Sequence, residues 1–119
     1  MKKLALLLSL FCICTYASAK TVSDFINEYP ALAKAPIIKV AIQQGAMGNA
    51  ATDAMSNGAT ENDIVEATQR LLADNGYDYA RASLRDLAGN ICGTPEIADA
   101  YSLRDKDCQI INEVDSEIE

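Results

Sequence analysis

Cys92 and Cys108 are the residues of this sequence with the clearest chemistry, and what the chain lacks decides what that chemistry is. A thiol becomes a nucleophile only as a thiolate, which needs a neighbouring base or cation. The sequence contains no histidine. Ser-His and Cys-His nucleophile pairs are therefore excluded, as are zinc sites that use histidine, and two cysteines alone cannot close a zinc site. What remains for the pair is a disulfide. It would close the segment CGTPEIADAYSLRDKDC and staple the C-terminal part of the chain to a helix ending near Cys92.

Other candidate sites are weaker. Ser102 and Lys106 have a Ser-Lys spacing of four, but nothing in the sequence around Lys106 would desolvate its amine. Asp105 and Asp107 flank Lys106, yet a calcium loop needs more ligands and a central glycine, so a solvated turn is the simpler reading. Gly45-Ala46-Met47-Gly48 is not followed by the Gly-Lys-Ser/Thr of a phosphate loop. Its small residues fit close helix packing, and with Ala50, Ala51 and Ala54 the same face could admit another subunit. Carboxylates are plentiful enough for a glycosidase-like pair, but no particular pair stands out. No catalytic residue, cofactor or metal ligand is expected.

One cluster has the composition of a binding surface. Tyr77, Tyr79, Arg81 and Arg85 follow Gly76, and Arg81 and Arg85 share a helix face four residues apart. Tyrosine and arginine are enriched in binding hot spots. Asp74, Asp78 and Asp86 can neutralise the arginines, and the tyrosines could equally cover the edge of a core.

The start of the chain bears on where this chemistry takes place. MKKLALLLSLFCICTYASA has two lysines, an apolar run and an Ala17-Ser18-Ala19 cleavage pattern, which together predict a secretory signal peptide over 1–19. Leu4 to Ala19 is too short for a spanning helix. Phe11 and Ile13 are too bulky to precede a lipid-modified Cys12 or Cys14. Removal of the signal takes those two cysteines and leaves one pair in an exported chain, where disulfides persist. The expected localisation is periplasmic or secreted, with no membrane insertion after cleavage.

The charge narrows the partners. The 119 residues carry a net −7, and loss of Lys2 and Lys3 makes it −9. Nucleic acid and anionic membrane surfaces are disfavoured. A cationic protein is favoured, and a homodimer is compatible.

The elements that must position these residues are helices. Gly45, Gly58, Gly76 and Gly93 each follow an apolar stretch, as C-terminal caps do. Helix starts are expected at Ser23, Pro36, Thr60 with Asp63, Asp78, and Thr94-Pro95. Ala80, Leu84, Leu87, Ala88 and Ile91 form the cleanest helical stripe, and Ile37 to Ile42 is apolar nearly all round, as a central helix would be. Met47, Ala51, Ala54 and Met55 make a further stripe, as do Ile64, Val65, Thr68, Leu71 and Leu72. Only Gln109 to Asn112 has any strand character. The prediction is an all-α compact bundle of about five short helices punctuated by glycine caps, with one disulfide near the C-terminus. Residues 20–112 would form a single helical domain. Residues 113–119 would form an acidic tail, unless Ile110, Ile111, Val114 and Ile118 dock a last helix on the bundle.

The expected function is a protein-binding module outside the cytoplasm, of the inhibitor, immunity or chaperone type, with Tyr77, Tyr79, Arg81 and Arg85 at the contact. A structural subunit of an extracellular or periplasmic assembly is the alternative, and an enzyme without histidine chemistry the third choice.

Overall fold

The computed structural model describes residues 20–118. Residues 1–19, expected to be a signal peptide, lie outside the described residues. Five α-helices follow in order: α1 (Val22–Glu28), α2 (Pro36–Ser56), α3 (Glu61–Asp86), α4 (Pro95–Ala100) and α5 (Asp105–Ile118). A 3-10 turn (Pro30–Lys34) links α1 to α2, and a π-helical turn (Leu87–Ile91) extends α3. The described residues contain no strand, and Gln109 to Asn112 lies within α5. None of their helices is long and apolar enough to cross a membrane.

Local chemistry sets the helix starts. Thr21, not Ser23, caps α1: its backbone N–H donates to Asp24 Oδ2 at 2.9 Å, and the Asp24 N–H donates to Thr21 Oγ1 at 3.2 Å. That reciprocal pair needs an acceptor three residues on, and the residue three after Ser23 is Ile26. Pro36 and Pro95 occupy first-turn positions, where a missing N–H costs nothing. Thr60 precedes α3, its hydroxyl donating to Asp63 Oδ2 at 2.7 Å.

The glycines divide into two kinds. Gly58 ends α2 with φ +85°, a left-handed conformation that a side chain would strain. Gly93 follows the π-helical turn. Gly45, expected as a cap, lies inside the 21-residue α2, and Gly76 follows a kink at Asn75 (φ −133°, ψ 27°) that divides the 26-residue α3 where the break was expected. Their role is close approach. A Cβ on Gly45 would collide with Ser83 Oγ across the α2–α3 contact, and one on Gly76 would sit 2.9 Å from Val22 N and 3.1 Å from Thr21 Cα. Asp78 lies within the part of α3 that follows the kink, three residues after Asn75.

Phe25, Leu32, Ile38, Ile42, Leu84, Leu87, Ile111 and Val114 are fully buried and form the core. They come from α1, the 3-10 turn, the first part of α2, the end of α3 with its π turn, and α5. The expected acidic tail is a correction. α5 continues through Ile118 because Ile111 and Val114, one helical repeat apart, both find the core. Away from this core, α2 and α3 form a two-helix arm. The arm is closed by Ala46, Ala50, Ala54 and Thr68, while Met47, Met55 and Val65 face solvent at 56%, 60% and 63% exposure. The stripes expected to bury those three residues are therefore only half internal. Alanines supply the helix contact and the larger side chains flank it.

Candidate binding surfaces

Cys92 and Cys108 form the disulfide, with Cα atoms 5.6 Å apart. Cys92 caps the π turn and Cys108 sits in the first turns of α5, so the bridge fastens α5 to the end of α3. Asp107, beside it, is buried and accepts the Arg104 N–H at 2.9 Å, which caps α5 from within. Closing this loop contributes about 3 kcal/mol in the chain-entropy view. Ser102 and Lys106 are both exposed. Ser102 has φ +62° in the turn before α5.

The four residues expected at a contact lie on one helix but point to different neighbours. The Tyr77 hydroxyl donates to Glu28 Oε1 at 2.8 Å. Its ring meets Phe25 edge-on at 5.3 Å, and the Lys20 ammonium lies 5.1 Å from the ring centroid. Burial, then the Glu28 carboxylate, pushes the Tyr77 phenol up to about 12. Tyr79 is two residues on, about 200° round the helix, and donates to Asp53 Oδ2 at 2.6 Å, tying α3 to α2. The hydrogen bond to Asp53, then burial, pushes its phenol up to about 12 as well. Arg81 is exposed and lies 3.4 Å from Asp78. Arg85 reaches Asp115 at 4.0 Å, joining α3 to α5.

The tyrosines thus occupy the seams between α3 and its neighbours, while Arg81 and Arg85 are exposed. Helical spacing after Gly76 is enough to signal this, because Tyr79 falls about 200° round the helix from Tyr77.

Two other surfaces come from the fold. The first surrounds the cystine. A groove lined by Pro95, Asp99, Arg104, Asp105 and Asn112 opens beside it. Residues 95–118 carry seven carboxylates against Arg104 and Lys106, a net −5. Glu96, Asp99, Asp105, Glu113 and Glu117 are exposed. Among the described residues no group of three or more Cys, Asp or Glu is placed to hold a metal ion. The second surface is the outer side of α2, where Val40, Met47 and Met55 are exposed. Sequence patterning missed it because it scores apolar spacing, and an apolar stripe reads the same whether a chain covers it or leaves it open.

Comparison with protein families, with curated proteins and with solved structures finds no match to this chain.

Proposed function

We propose that this chain is an exported helical module that binds a cationic protein outside the cytoplasm, and that it works by binding rather than catalysis. The observation that carries this reading is the excess of exposed carboxylates on the cystine-stapled unit from Pro95 to Ile118. Such a field speeds encounter with an oppositely charged partner and repels anionic ones. The disulfide, which holds that unit to the core, supports an oxidising compartment, either periplasmic or extracellular.

Because the hydroxyls of Tyr77 and Tyr79 already have acceptors in Glu28 and Asp53, the contact is assigned here chiefly to the acids. Arg85, within 4.0 Å of Asp115, lies at the margin of that surface, and Arg81 is one turn before it on α3. Affinity capture from the exported fraction of the producing cells, followed by elution with salt, tests the proposal. A basic protein released by salt is expected. Capture of nothing, or of an acidic protein that resists salt, would overturn it.

A further inference from the structure

The solvent side of α2 carries a second apolar stripe that the fold covers only in part, at Ile37 and Ala51. Ile37, Val40, Gln44, Met47 and Ala51 follow one another at alternating steps of three and four, the spacing of a coiled-coil seam, and Met55 continues it. The stripe runs along about 27 Å of helix. Val40 is 42% exposed, Met47 56% and Met55 60%. An open groove lies at each end. One is formed by Ile37, Val40 and Gln44 against Tyr101, the other by Met47 and Ala51 against Val65 and Leu72.

Two observations say what covers it. First, the stripe positions themselves are free of charge. From Val40 to Thr60 the single charged residue is Asp53, which points away from the stripe and is tied to Tyr79. The chain as a whole carries −7. Two copies of an acidic protein repel, and this side of α2 is where they can meet without opposing carboxylates. A charged partner would find nothing here to pair with.

Second, Gly48 is an exposed glycine in mid-helix with nothing within 4 Å of where its Cβ would be. Nothing inside the chain requires it, and it costs about 1 kcal/mol relative to alanine. A helix backbone from outside could approach closely there.

We infer that the outer stripe of α2 is the contact between two copies of this chain, paired antiparallel about a two-fold axis beside Gly45 and Ala46. The stripe is self-complementary in that arrangement, as an isologous contact demands. Val40 meets Ala51 of the second copy and Gln44 meets its Met47 next to Gly48, with Ile37 and Met55 at the two ends. Gln44 is the one polar member of the seam and fixes its register. The acidic unit around the cystine is not part of this contact.

Sedimentation equilibrium of the purified exported protein tests the inference. A dimer is expected at micromolar concentration, and added salt should strengthen it, because screening relieves repulsion between like-charged copies. Met47→Glu and Met55→Glu, both at exposed positions, should each weaken it by about tenfold or more while leaving the helical circular dichroism spectrum unchanged. A short thiol cross-linker should join a Val40→Cys copy to an Ala51→Cys copy. A monomer at all concentrations overturns the inference even if another protein is found on this face. So does a dimer that both substitutions leave intact, or one that cross-links Val40→Cys to itself alone. Binding of a cationic protein would weaken with salt, so the two proposals fail separately.

Discussion

The Tyr77 backbone N–H donates to the Lys20 carbonyl at 3.0 Å, from the middle of a 26-residue helix. It is free to do so because Asn75, at φ −133° and ψ 27°, breaks the regular helical path and opens a notch. Gly76 lines the notch, and the backbone of Thr21 and Val22 lies against it. The start of α1 is thereby fastened to α3 by main-chain contact.

Gly76→Ala should therefore be costly. Its Cβ would press on backbone rather than on a side chain that could move aside, and α1 would have to lift with Phe25 and Ile26 attached. A loss of about 2–3 kcal/mol is expected in urea unfolding. Gly89→Ala, where a Cβ meets open space, serves as the control and should change stability by well under half of that.

Ser83 and Gly45 form a second close pair. Ser83 Oγ is buried and has no hydrogen-bond partner, and it fills the space that a Cβ on Gly45 would need. Ser83→Ala should stabilise the protein by about 1 kcal/mol, by removing an unpaired hydroxyl and favouring helix. Gly45→Ala should destabilise it, and by less in the Ser83→Ala background. A double-mutant cycle by thermal unfolding reads this coupling, and strict additivity would contradict it.

The tyrosine seams should be visible in alkali. Tyr77 and Tyr79 have phenols pushed up to about 12, above the ordinary value of 10.0. A folded pKa above the unfolded one means the stabilisation is complete below about pH 10 and is lost as pH rises through about 12. Spectrophotometric titration should show two late-ionising tyrosines, with Tyr77→Phe and Tyr79→Phe each removing one. Ionisation of both near pH 10 would contradict the seam assignment.

The cystine sets a further expectation. Cys92→Ser and Cys108→Ser should lower stability about equally, by about 2–4 kcal/mol, and the exported protein denatured without reductant should show no free thiol. Two reactive sulfhydryls in that titration would contradict the bridge.

The helical class and the Cys92–Cys108 pairing were legible because both rest on local or counting arguments: apolar spacing, proline starts, and an even pair after signal removal. The continuity of α2 through Gly45 was not. A glycine that caps a helix and a glycine that admits a neighbouring backbone look alike in a sequence, and the difference lies with Ser83 and Thr21, far from Gly45 and Gly76 along the chain. The break near Gly76 was legible and is realised as the kink at Asn75; what the sequence did not show is that Tyr77 and Tyr79 face α1 and α2 from the helical segment that follows it. The end of α5 was half legible, since Ile110, Ile111, Val114 and Ile118 share a face, but the acids between them resemble those of a solvated tail.

Recognition of a cationic protein through the acidic, cystine-stapled unit is the central claim. The measurement that tests it most directly is the association rate of the captured partner with the wild-type protein and with a variant carrying Asp105→Asn, Glu113→Gln and Glu117→Gln, across a range of salt concentrations. All three positions are exposed, so the variant should fold as the wild type does. A wild-type rate that falls steeply with salt is predicted, together with a variant that binds about tenfold or more slowly at low salt and loses most of that dependence. Equal rates for the two proteins, insensitive to salt, would contradict the claim.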